Sequence, residues 1–221
     1  METSRKLRLP EMEGFQARWY AKQRGTEPQM VQYREQAARL TASLPPGADV
    51  LEVAPGPGYH AIEVAKLGFT VTGLDISATM VEIAAEGARR ASVRAEFRQG
   101  DASAMPFTDE SYDLVVCQAA FKNFRQPVTA LNEMHRVLRP GGVAVIDDMN
   151  HDTTGADIDR EVAGMNLGAF GRFAVRQTLG GLRRRAFTRA QFEAMATEST
   201  FGACTVTADG IGLEVRLSRA S

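Results

Sequence analysis

A chain of 221 residues, 44% hydrophobic and 24% charged, is long enough to bury a substantial core as one domain and has the balance of an ordinary globular protein. Its net charge of −1 excludes a nucleic-acid footprint spread over the whole surface, and no apolar run approaches the ~20 residues a membrane span needs. Cys117 and Cys204 lack C-x-x-C spacing and the amino terminus lacks an apolar secretion segment, so a reducing cytoplasm is the expected compartment.

The chain opens with two predicted helices. "EMEGFQARWYAKQR" stops at Gly25, and Thr26 with Gln29 has capping-box spacing for "EPQMVQYREQAARLTASL". "PPG" at Pro45 to Gly47 ends this part, and a regular alternation begins. Val50 to Val53 reads as a strand, Tyr59 to Leu67 as a helix stopped by Gly68, and Phe69 to Leu74 as a second strand. Ser77 caps the helix "ATMVEIAAEGARRA". Val93 to Arg98 and Tyr112 to Cys117 are strands three and four. Pro127 to Leu138 carries an apolar stripe, and "RPGG" turns the chain into a fifth strand, Val143 to Ile146. Such alternation predicts a parallel sheet covered by helices on both faces. The end departs from it. Thr188 and Gln191 form a second capping-box pair, and Asp209-Gly210 joins Cys204–Ala208 to Ile211–Leu217 as an antiparallel hairpin.

In a doubly wound sheet, ligands lie beyond the carboxyl ends of the strands. This sequence places Glu52, Gly56 and Gly58 after strand one, Asp75 at the end of strand two, Asp101 after strand three and Gln118 after strand four. "VLEVAPGPGYHA" fits G-x-G-x-x-A, a loop that could cradle a dinucleotide pyrophosphate. It equally suits S-adenosylmethionine, whose α-ammonium would be answered by Glu52. Asp75 can accept from the ribose hydroxyls of either ligand, and Asp101 is placed to meet an adenine amino group. A lone strand-end aspartate is usually a helix cap; three carboxylates, Glu52, Asp75 and Asp101, at successive strand ends point to a shared ligand.

"VLEVAPGPGYHAIEVAKLG", "VTGLDIS", "GDASAMPF", "SYDLVVCQAAF" and "ALNEMHRVLRPGGVAVIDDM" together resemble the ordered motifs of class I S-adenosylmethionine-dependent methyltransferases. Within them, the resemblance is to the small-molecule, methyltransferase-type-11 group that includes quinone-biosynthesis enzymes. It covers about Val50 to Met149. It implies an α/β, doubly wound, Rossmann-like sheet of seven strands in the order 3-2-1-4-5-7-6 with strand seven antiparallel. It also implies S-adenosyl-L-methionine as cofactor, with Gly56 and Gly58 at the methionine part and Asp75 at the ribose. Ile76 would lie on an adenine face, Asp101 and Ala102 on the adenine edge, and the Gln118 backbone near the sulfonium. Ala54 stands where the family usually has glycine, which narrows the cofactor's seat.

Rival uses of the loop fit less well. Asp75 lies about 20 positions beyond Gly56, as a nicotinamide dinucleotide site asks, but no Tyr-x-x-x-Lys pair follows any tyrosine. After strand four, "CQAAFKNF" has neither the carboxylates of aminopropyl transferases nor an Asn/Asp-Pro-Pro-aromatic motif. Asp147 and Asp148 are adjacent on a strand, so their side chains face opposite ways and predict no joint metal site. A non-catalytic S-adenosylmethionine-binding protein of the same fold stays open.

The expected organisation is one methyltransferase domain: an N-terminal helical cap at 1–46, a cofactor core at 47–150, a helical lid at 151–187, then a helix and hairpin at 188–221. The expected reaction is in-line methyl transfer to a small or medium, partly apolar organic acceptor. His151, beyond strand five, is the first candidate general base and His60 the second. Trp19, Tyr20 and Tyr33 from the cap, and Phe170 from a lid series with Met165, Leu167 and Phe173, are candidate acceptor contacts. The expected partners are that small molecule and at most a second copy, as monomer or homodimer, with no nucleic acid and no membrane.

Overall fold

The computed structural model describes residues 12–165 and 168–221; Leu167 of the lid series and the first residues of the cap lie outside them. Two helices, α1 (Gly14–Arg24) and α2 (Glu27–Thr41), precede the sheet. Then come β1 (Asp49–Val53), α3 (Tyr59–Lys66), β2 (Thr70–Asp75), α4 (Ala78–Ala91), β3 (Ala95–Gln99) and β4 (Tyr112–Gln118). A 3-10 turn at Phe121–Asn123 leads to α5 (Pro127–Val137) and β5 (Leu138–Met149). After α6 (Gly155–Gly164), α7 (Ala169–Arg183) and α8 (Arg189–Glu198), the chain ends in β6 (Thr205–Asp209) and β7 (Gly212–Ser218).

The seven strands lie in the order β3-β2-β1-β4-β5-β7-β6. Strands β1 to β5 pair in parallel, while β7 runs antiparallel to both β5 and β6. Because successive residues of a strand face opposite sides, Val50 and Val116 pack under α2 and α3 with Ala37, Leu40, Ala61 and Val64. Their neighbours Leu51 and Val115 enter the larger core with Leu131, Met134, Phe192 and Leu217. Strands apolar on both faces are what a sheet with helices on each side demands.

Two local expectations change. Strand β5 begins at Leu138, not Val143, since "RPGG" stays in the sheet: pairing shifts from Tyr112–Leu138 to Leu114–Val143 across it. Gly141 takes a φ of +81° there, and a Cβ on Gly142 would stand 2.9 Å from the Arg139 carbonyl oxygen. At α2, Thr26 makes no side-chain cap. The Gln29 amide nitrogen instead donates to the Gln23 and Arg24 carbonyls at 3.0 and 2.8 Å, closing the end of α1. Ser77 does cap α4, accepting from the Met80 N–H, and Thr188 with Gln191 forms the full reciprocal box on α8. Among the described residues no helix is long and apolar enough to cross a membrane.

Candidate functional site

The site begins with backbone geometry at the carboxyl edge. Directly after β1, Ala54, Gly56 and Gly58 have φ of 56°, 55° and 76°. Each demands the conformation that glycine alone enters without strain. Nothing would lie within 4 Å of a Cβ on Gly56, so that residue leaves a bare, open stretch of backbone. Gly58 is different: a Cβ would come within 2.7 Å of Ala84 Cβ and 3.0 Å of the Phe97 ring, so its absence lets α3 settle against α4 and β3. Helix α3 starts at Gly58 without a side-chain cap, which leaves first-turn N–H groups for a ligand or water.

Carboxylates from adjacent strands meet around this loop. Asp75, buried at the end of β2, accepts from the Gly56 N–H through Oδ2 and from the Ser77 N–H through Oδ1, both at 2.9 Å. Burial pushes its carboxyl above the usual range, the two backbone donors oppose that, and nearby Glu13 and Glu52 add to it. Glu52, buried in β1, receives the Nδ1–H of His60 at 3.1 Å. Because a carboxylate only accepts, this contact puts a proton on Nδ1. His60 Nε2 is buried with no partner.

Asp101 is exposed after β3, its Oδ1 accepting from the N–H and hydroxyl of Ser103 at 2.8 and 2.7 Å. Ile76 is 41% exposed beside Asp75, an apolar surface at the edge, and Ala102 is half-buried. Met12 and Glu13 reach over from the amino-terminal side. The Met12 carbonyl accepts from the Ser77 hydroxyl at 2.7 Å, and Glu13 accepts from the Ala78 and Thr79 N–H groups at the start of α4.

Strand β4 contributes its own strained exit. Ala119 has φ 54° and donates its N–H to the Asp147 carbonyl at 2.7 Å. Gln118, just before it, has a buried Nε2 with no partner. Behind them lies a buried ion pair that sequence reasoning missed: Lys122 Nζ donates to Asp148 Oδ1 at 2.7 Å and also to the Ala119 carbonyl, while the Lys122 N–H meets Asp148 Oδ2 at 2.8 Å. The available signal was a lone lysine inside the apolar run "AAFKNF". Asp147 turns the other way, accepting from Gln36 Nε2 of α2 at 2.6 Å. The adjacent carboxylates thus go to separate partners.

Candidate acceptor contacts are spread out. Tyr33 is half-buried, 6.1 Å ring to ring from Tyr59, with the Arg24 guanidinium over its other side. Tyr20 is half-buried, whereas Trp19 and Phe170 are 57% and 85% exposed. His151 sits where β5 gives way to the lid, Nδ1 3.0 Å from the Arg183 carbonyl. A carbonyl only accepts, so Nδ1 carries a proton. Two surface grooves, of about 290 Å³ between Leu40 and Pro140 and about 480 Å³ between Lys66 and Arg94, lie at the opposite edge of the sheet and include none of these residues.

An open glycine backbone, a buried carboxylate held by that backbone, an exposed apolar flank and unpartnered Gln118 Nε2 fit an adenosyl sulfonium at this edge. The strand order and this edge define a class I S-adenosylmethionine-dependent methyltransferase fold. A family model for a methyltransferase domain matches residues 51–146, somewhat less than half of the chain. A demethylmenaquinone methyltransferase of Renibacterium salmoninarum is 39% identical over 110 residues, 50% of this chain and 45% of that protein. A 2-methyl-6-phytyl-1,4-hydroquinone methyltransferase of Synechocystis is 38% identical over 109 residues, 49% of this chain and 34% of that one. The matched stretch thus spans less than half the length of these curated relatives. In fold, a solved Methanococcus maripaludis protein classed with the S-adenosyl-L-methionine-dependent methyltransferases superposes with a TM-score of 0.76 at 20% identity, over 96% of each chain.

Proposed function

We propose that this protein transfers a methyl group from S-adenosyl-L-methionine to a small or medium organic acceptor with an apolar part, of the quinone or hydroquinone type. The observation that carries the reading is the placement of Glu52, Asp75 and Asp101 at or just beyond the ends of three adjacent strands, with Asp75 holding the Gly56 N–H. The relatives that methylate demethylmenaquinone and a phytyl hydroquinone support the acceptor class.

The bound cofactor supplies a methyl group on a sulfonium, which leaves as a neutral thioether once the acceptor attacks in line. What this chain must do is bind, align and keep water out. In this reading Glu52, oriented by His60, answers the α-ammonium, and Gly56 and Gly58 let the methionine part lie against backbone. Asp75 accepts from the ribose hydroxyls while Gly56 and Ser77 fix its carboxylate. Ile76 covers one adenine face, and Asp101 with Ala102 meets the adenine edge. Ala54 shapes the floor of the seat, and Gln118 borders the reacting methyl. His151, with Nε2 available, takes the proton when the acceptor is a hydroxyl or an aromatic carbon that must lose one. Trp19, Tyr20 and Tyr33 from the cap wall the acceptor, whereas Phe170, 85% exposed, stands outside that wall.

Calorimetry should show S-adenosylmethionine and S-adenosylhomocysteine binding and NAD failing to bind, with both Asp75→Ala and Asp101→Ala weakening the complex. Unchanged dissociation constants in both variants would overturn the reading. A labelled-methyl assay over hydroquinones with and without isoprenoid tails then tests the acceptor. Tyr20→Ala should lower kcat/KM for the acceptor more than it weakens cofactor binding; equal losses would remove this residue from the acceptor wall.

A further inference from the structure

Helix α7 presents a surface that the described residues do not cover. None of its fifteen residues is buried. Val175, Leu179 and Leu182 are half-buried against Met149, Ile158 and Val162; at 100° per residue they form one stripe of the helix. The opposite face carries Phe170, Phe173, Ala174 and Gly181 at helical spacing, with Phe170 85% and Phe173 60% exposed. Two apolar faces on one helix call for two partners, and the described residues provide one.

Charge identifies the second. From Val162 to Phe192 the chain has six arginines and no acidic residue, although its overall net charge is −1. Arg172, Arg176 and Arg183 fall along one flank of the outward apolar face, and Arg184 and Arg185 continue beyond the helix end. Arg176 is held by Asp159 of α6 and Arg183 by the His151 carbonyl, so the flank is fixed in place. Aromatic side chains beside an arginine flank, on a helix with no buried residue, make the pattern of a segment that lies in a lipid headgroup layer. An acidic protein partner would match the arginines and leave two outward phenylalanines unexplained.

We propose that α7 docks the protein on an anionic lipid surface, inserting Phe170 and Phe173 while the arginine flank meets the headgroups. The helix follows the carboxyl end of β5, and its last turn is tied to His151. Docking there sets the acceptor side of the candidate site against the bilayer, where an acceptor with a long apolar tail would reside. The expectation of no membrane partner considered spans alone; a helix lying in the surface needs none. The docking rests on charge and exposure and holds whether or not the proposed reaction does.

The test is co-sedimentation of the full chain with vesicles of phosphatidylcholine, with and without phosphatidylglycerol, at low and high salt. Binding is expected only with phosphatidylglycerol and should fall as salt rises. Arg184→Gln should weaken partitioning about fivefold, the worth of one arginine near an anionic surface. Phe173→Ser should weaken it further, with circular-dichroism melting curves for both variants matching the unsubstituted protein. The proposal is overturned by absence of vesicle binding, or by binding that neither substitution changes. It is equally overturned by a dimer in sedimentation velocity that Phe173→Ser dissociates without any vesicle binding, for then a second copy is the missing partner. Cofactor calorimetry on the same preparations separates this outcome from failure of the methyl-transfer reading.

Discussion

Ala54 is one of four non-glycine residues, with Ser92, Glu110 and Ala119, that the backbone holds at positive φ among the described residues. Its φ of 56° costs an L-residue about 1–2 kcal/mol, and the hydrogen bond from its N–H to the Leu74 carbonyl at 2.7 Å holds it there. Ala54→Gly removes the steric cost while adding about 0.5–1 kcal/mol of chain entropy in the unfolded state. A net gain of about 0.5 kcal/mol in urea denaturation is therefore expected; a loss of stability would show that the methyl makes contacts worth more than the strain. Asp147 carries the opposite kind of tension. Burial, with Asp209 of β6, Glu214 of β7 and neighbouring Asp148, pushes its carboxyl up to about 6 against the relief given by Arg39 of α2. A raised folded-state value means that the folded protein takes up the proton first. This group's contribution to stability is therefore full below about 3.8 and lost as pH rises through about 6. Asp147→Asn should stabilise the protein at neutral pH by up to about 3 kcal/mol while keeping a partner for Gln36. It should also flatten the rise in stability that the unsubstituted protein shows on acidification from neutrality. Parallel pH–stability curves for the two proteins would refute this account.

At the level of elements, identical signals gave different outcomes because neighbours intervened. Thr26-x-x-Gln29 and Thr188-x-x-Gln191 read alike, yet only the second forms the box. Helix α1 ends two residues before α2 begins, so its last carbonyls are within reach of Gln29 and take its amide. Thr188→Ala should therefore cost about 1 kcal/mol in thermal unfolding, and Thr26→Ala a few tenths at most; equal costs would mean that Thr26 caps α2 in solution. The same logic explains what could be read in advance. Strand ends were legible because alternation with helices fixes which ends of the parallel strands lie together, and this set Glu52, Asp75 and Asp101 along one edge of the sheet. The Lys122–Asp148 pair was not, since it exists only once β4 and β5 lie side by side. The Glu52–His60 contact lay eight residues apart in plain view, but a histidine in a glycine-loop helix reads as a base until its burial is known. "RPGG" looked like a turn because Pro and Gly end most strands; here the glycines absorb a register shift within one.

Across the whole molecule, stability and chemistry are unevenly shared. Central strands β1 and β4 bury residues on both faces, whereas α7 buries none and rests on α6 through a small satellite core. Local opening follows such differences, because a segment with few buried apolar contacts can detach without unfolding the sheet. Native-state hydrogen exchange should show the α7 amides opening at least about a hundredfold more readily than those of β4, with weak dependence on denaturant, the mark of an opening that exposes little surface. Equal protection in α7 and β4 would make the helix part of the global unit and remove its freedom to act as a lid or a docking surface. The same measurement with phosphatidylglycerol vesicles present should raise protection in α7 and leave β4 unchanged, since a bound surface stabilises only the state it contacts. A rise shared by both would mean that lipid stabilises the whole fold. A selective rise would tie this helix, which buries none of its residues, to the surface that its exposed phenylalanines and acid-free charge call for.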